Sequence, residues 1–86
     1  MDHQAKIIID KLIELRMVGA DLKQDAKAKE IENELSNLIP EGEFYSIRNA
    51  RSGFKLSGNN KNFIVTINNL ISSYRNTGRK FKPTLL

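Results

Sequence analysis

The chain of 86 residues has no cysteine and no tryptophan, and its one histidine is His3. Without cysteine there are no disulfides, no thiolate metal sites and no cysteine nucleophile. A single terminal histidine supplies no histidine pair for a metal. A Gly-rich phosphate loop and a Gly-x-Ser-x-Gly nucleophile turn are also missing. Glu30, Glu32 and Glu34 alternate, so on a helix they point around the axis rather than converge on a metal. No run approaches the roughly 18–20 apolar residues that a membrane span needs, and Ile7-Ile8-Ile9 is cut short by Asp10 and Lys11. The start, Met1-Asp2-His3-Gln4, is not the positively charged opening of a signal peptide. The expectation is a soluble cytoplasmic protein that is not an enzyme, does not associate with membranes, and needs no cofactor and no metal.

The most informative absence is of one charge sign. From residue 44 onward there is no Asp or Glu, while eight Lys/Arg are present. Residues 1–43 hold all ten carboxylates with six Lys/Arg, so the halves carry −4 and +8 within a total of +4. Ordinary soluble surfaces mix both signs. A one-sided split of this kind points to a polyanionic partner. All six aromatics, Phe44, Tyr45, Phe54, Phe63, Tyr74 and Phe81, lie in the same basic half.

What is present is enough for one small domain. A chain of this length buries only about 60–65% of its unfolded surface. At 40% apolar residues it is nonetheless a folding composition. Residues 4–18 are predicted helical, with Ile8, Leu12 and Leu15 on one face. Asp2 is a candidate N-cap, and Gly19 stands where a left-handed helix end belongs. Continuing that helix would throw Ile31, Leu35, Leu38 and Ile39 onto the opposite side. A break near 19–21 and a second helix over 22–39 is therefore expected, with Asp21 and Gln24 as a capping pair and Pro40 as the stop. One long helix serving two partners is the alternative.

Beyond Pro40 the pattern changes. Tyr45 and Ile47 alternate with Ser46 and Arg48, and Phe54 and Leu56 alternate with Lys55 and Ser57. With Asn49-Ala50-Arg51-Ser52-Gly53 between them, these runs are predicted to be a β-hairpin with one apolar and one basic face. Residues 60–76 form the last predicted helix, with Phe63, Ile67, Leu70, Ile71 and Tyr74 as its apolar stripe and Gly78 as its stop. Its opposite stripe is Asn62, Thr66, Asn69, Ser73 and Asn76. The predicted fold is thus α+β in the order α-α-β-β-α, a single domain over 1–78 followed by a basic tail over 79–86.

The candidate site follows from the charge. Arg48, Arg51 and Lys55 share the predicted hairpin, Lys61 opens the last helix, and Arg75, Arg79, Lys80 and Lys82 cluster at its end. Lys and Arg neutralise phosphates, and Phe81, set between Lys80 and Lys82, has the placement of a base-stacking residue. Asn69 and Ser73 can hydrogen-bond sugars, phosphates or base edges without adding charge. Phe63, Tyr74, Tyr45 and Phe54 are expected in the core. No RRM, KH or zinc-finger signature accompanies these residues.

The expected function is a nucleic-acid-binding accessory or regulatory protein, with RNA or single strands favoured over duplex DNA. Contacts to about four to six phosphates would give a log K versus log salt slope of roughly −3 to −5. The alternative is a protein-interaction module, such as an inhibitor or antitoxin-like protein of a phage or mobile element, docking on an acidic protein surface or a protein–RNA complex. The wide apolar surface of the first helix, including Ile7, Ile8, Ile9, Ile13, Met17 and Val18, also raises a homodimer through the N-terminal helices.

Overall fold

The computed structural model describes residues 3–76. They form four α-helices: α1 (His3–Gly19), α2 (Asp25–Ser36), α3 (Glu41–Ser57) and α4 (Lys61–Arg75). A single 3-10 turn, Leu22–Gln24, precedes α2. There is no strand among the described residues, so the expected α+β class is corrected to an all-helical one.

The break between the first two helices lies where the opposed apolar faces required it. Gly19 closes α1, and Asp21 caps the 3-10 turn by accepting from the Lys23 backbone amide at 3.0 Å. Gln24 donates to the same carboxylate at 3.2 Å. These bonds hold the Asp21 carboxyl below its ordinary range, the backbone amide of Lys23 contributing most. Gly19 is not the left-handed residue expected, since Gly58 is the one glycine with positive φ among the described residues. Gly19 serves close approach instead: a Cβ there would lie 2.7 Å from the ring of Phe63 on α4. The second helix starts at Asp25 and ends at Ser36, shorter than expected at both ends. Asp2 and Gly78, named above as cap and stop, lie outside the described residues.

The region predicted as a β-hairpin is α3. The alternation that suggested strands came from Tyr45 and Leu56, which are 49% and 90% exposed. The face that turns inward is Ile47, Ala50, Arg51 and Phe54, a helical spacing with one small and one charged member. Glu41 and Glu43 in its first turn and Lys55 in its last complement the helix dipole. Gly58, at φ 76°, ends the helix, and its amide donates to the Phe54 carbonyl at 2.7 Å.

Short connections set neighbouring helices antiparallel. Gly19 at the end of α1 meets Phe63 at the start of α4. Tyr74 at the end of α4 donates to Glu43 at the start of α3 at 2.5 Å. Lys55 at the end of α3 meets Asp25 at the start of α2 at 2.9 Å. The helices therefore form a ring in which α1 packs on α2 and α4, and α3 packs on α4 and less extensively on α2. One core runs through the ring, from Ile8, Leu12 and Leu15 across Ile31, Leu35 and Ile47 to Phe63, Ile67 and Ile71. At about 25 cal/mol per Å² of apolar surface, burial of such side chains is the main stabilising term. Ile8, Ile9 and Val18 are used in this core, and of the surface raised for a homodimer Ile7 and Met17 stay exposed.

Candidate nucleic-acid interface

The α2–α3 side of the ring is its least packed edge, and it is closed by charge rather than by apolar contact. Arg51, on α3, is 3% exposed. Its Nε donates to Glu32 of α2, and its Nη2 donates to Asp25 at 2.7 Å. Glu32 is itself buried. Lys55 and Lys29 also reach Asp25, at 2.9 and 3.4 Å. Hydrogen bonds from Lys55 and then Arg51 hold the Asp25 carboxyl far below the usual carboxylate range. Burial works against the charge of Arg51, but its bonds to Asp25 and Glu32 outweigh that and raise its pKa above the ordinary value. The third guanidinium nitrogen, Nη1, is shielded from solvent and has no acceptor among the described residues. A buried donor left so costs about 1–3 kcal/mol.

Beside this network α2 and α3 leave a groove of about 350 Å³. Lys29 and Asn33 of α2 line one wall, and Phe44, Arg48, Ser52 and Lys55 of α3 line the other. Arg51 and Glu32 also border it. Arg48, Ser52 and Lys55, at helical spacing, form one exposed stripe of α3 along the groove. The rings of Phe44 and Tyr45 meet edge to face at 5.4 Å.

The expected site residues separate into four groups. Arg48 and Lys55 are exposed and stand together at the groove. Arg51, expected at the basic surface, is instead a buried partner of two carboxylates, because α3 is a helix and not a strand with one basic face. Lys61 opens α4 beside a separate shallow hollow of about 510 Å³ lined by Ala50, Phe54 and Val65. Arg75 lies in the last turn of α4, about 21 Å from Lys61 along the axis at 1.5 Å per residue. Asn69 is exposed on α4 and Ser73 is half-buried. Arg79, Lys80, Phe81 and Lys82 lie outside the described residues.

Three groove residues went unnoticed in the sequence: Lys29, Asn33 and Ser52. Lys29 and Asn33 are four apart on α2, so they share a face. That spacing was the available signal, masked by the net negative charge of the first half. Among the described residues no group of three or more His, Cys, Asp or Glu could hold a metal ion. No helix of the described residues is long and apolar enough to cross a membrane. No protein-family model, curated protein or solved structure matches the chain.

Proposed function

We propose that the protein is a non-catalytic nucleic-acid-binding protein of the cytoplasm, acting as an accessory or regulatory factor. RNA or another single strand would lie along the groove between α2 and α3. The observation that supports this reading is the exposed stripe Arg48, Ser52 and Lys55 facing Lys29 across that groove, with Phe44 beside it. Lys and Arg beside the half-buried ring of Phe44 match the two demands of single-strand binding, phosphate neutralisation and base stacking.

The test is a salt titration of single-stranded RNA binding by fluorescence anisotropy. Three groove cations, Lys29, Arg48 and Lys55, at about 0.7 counterions released each, give a slope of log K on log salt of about −2. Phosphate contacts outside the groove would steepen it. A flat salt response, or no binding at low salt, overturns the reading.

A second reading, a protein-interaction module of the inhibitor or antitoxin-like kind, is favoured by Leu56, 90% exposed, and Val65, 46% exposed. Size-exclusion chromatography separates the two: the purified protein carries nucleic acid in the first case and a stoichiometric protein partner in the second.

A further inference from the structure

The outer face of α3 has the pattern of a helix that packs on a further helix. Gly42, Tyr45, Asn49, Ser52 and Leu56 follow one another at steps of 3, 4, 3 and 4, and all five are exposed. That alternation is the seam of a two-helix pair. None of the five is charged, although Arg48 and Lys55 flank them on the same helix. Tyr45 is 49% exposed and Leu56 90%, so the seam presents apolar surface that the core of this chain does not use.

The face is self-complementary. Asn49 is the midpoint of α3, Glu41–Ser57. A twofold axis at Asn49 sets a second copy antiparallel and places residues equally far from Asn49, on either side, opposite one another. Leu56 then stands over Gly42 of the second copy, and Tyr45 over Gly53 of the second copy. A Cβ built at either glycine meets no atom within 4 Å, so each large side chain faces an open notch. The two Asn49 side chains meet at the axis, where a lone polar residue in a seam fixes register. Charge agrees with this direction. Glu41 and Lys55 lie on one flank of the seam, at opposite ends of α3, so each Glu41 approaches Lys55 of the other copy. Those two attractions outweigh the single like-charge approach, of Arg48 to its own copy near the axis. A parallel pair would set glycine against glycine and keep Glu41 far from Lys55.

We propose that the protein forms a homodimer through an antiparallel pair of α3 helices, with Leu56 and Tyr45 of each copy seated on Gly42 and Gly53 of the other. The interface is thus on α3 and not on the N-terminal helices. Because the axis is perpendicular to α3, both α2–α3 grooves open on the same side of the dimer. The dimer does not depend on what those grooves bind.

The experiment is analytical ultracentrifugation of the full chain without nucleic acid. One helix pair, about 24 Å long, is a small interface, so a dissociation constant on the order of 10 μM is expected. Leu56→Ser is expected to weaken it about a hundredfold, since two leucines return to water. Gly53→Gln separates dimer from fold: at dilution its thermal stability is expected to hold or rise, because the monomer has room there, while dimerisation weakens. The chain has no cysteine, so the direction of pairing is read by crosslinking. An equal mixture of Gly42→Cys and Leu56→Cys chains is expected to form the mixed disulfide in preference to either like pair. A chain that stays monomeric, a dimer that appears only with added RNA, a dimer indifferent to Leu56→Ser, or crosslinks of like with like overturns the inference. Each of these leaves the nucleic-acid reading to its own salt titration.

Discussion

Replacing Arg51 with methionine tests the α2–α3 edge most sharply. Methionine fills similar space but leaves Glu32, 7% exposed, as a buried carboxylate without its cation. Breaking a buried pair on one side costs about 3–5 kcal/mol. The lower end applies, because Asp25 is 30% exposed and keeps Lys55 and Lys29. A loss of about 3 kcal/mol is a large share of the roughly 4–13 kcal/mol that stabilises a domain of this length. In thermal unfolding it is expected to lower Tm by about 12–24 °C. Adding Glu32→Met removes the stranded charge, so the double variant is expected to recover about 2 kcal/mol relative to the sum of the single changes. Urea unfolding followed by far-UV circular dichroism gives all four corners of the cycle. A loss below about 1 kcal/mol for Arg51→Met, or additive behaviour in the double variant, would refute the assignment of Arg51 as the latch between α2 and α3.

The remaining expectations concern the backbone and the titrating groups. Gly53 sits inside α3 with no atom within 4 Å of a Cβ built there, so Gly53→Ala is expected to stabilise by about 0.5–1 kcal/mol in the same urea assay. Gly58→Ala places a side chain at φ 76° and is expected to destabilise by about 1–2 kcal/mol. Gly19→Ala pushes α1 off Phe63, where a Cβ would lie 2.7 Å from the ring, and calorimetry is expected to record a lower Tm. Burial pushes the Tyr74 hydroxyl up to about 12, so its stabilising share is full below pH 10 and is lost as pH rises through 12. Tyr74→Phe is expected to flatten that alkaline loss and to cost about 1 kcal/mol near neutral pH for the lost bond to Glu43. Asp25 acts at the other end: its depressed pKa gives stability that is full above the ordinary carboxylate range and lost as pH falls below it, and Asp25→Asn is expected to weaken that acid transition.

The legible and illegible parts of the fold differ for a physical reason. In α1, α2 and α4 the buried face is written in large apolar residues, Ile8-Leu12-Leu15, Ile31-Leu35 and Phe63-Ile67-Ile71, so helical periodicity stands out. In α3 the inward face is completed by Ala50 and Arg51, while Tyr45 and Leu56 are apolar yet exposed. Alternation then mimics a strand, and Gly42 and Gly53 lower the apparent helix propensity further. The same residue hid the site. A buried arginine is recognisable through its carboxylates, and those of Arg51 stand 19 and 26 positions earlier in the chain, on another helix. The charge asymmetry pointed to Arg48 and Lys55, but a count by halves concealed Lys29, which lies among carboxylates in sequence and across the groove from Arg48 in space.

The most direct measurement is amide chemical-shift mapping of the full chain titrated with short single-stranded RNA. The expected result is a contiguous set of perturbed amides on facing sides of α2 and α3, including Lys29, Arg48, Ser52 and Lys55, fading as salt is raised. Perturbations centred instead on the α1 surface around Ile7 and Met17, or no perturbation at low salt, would contradict the account.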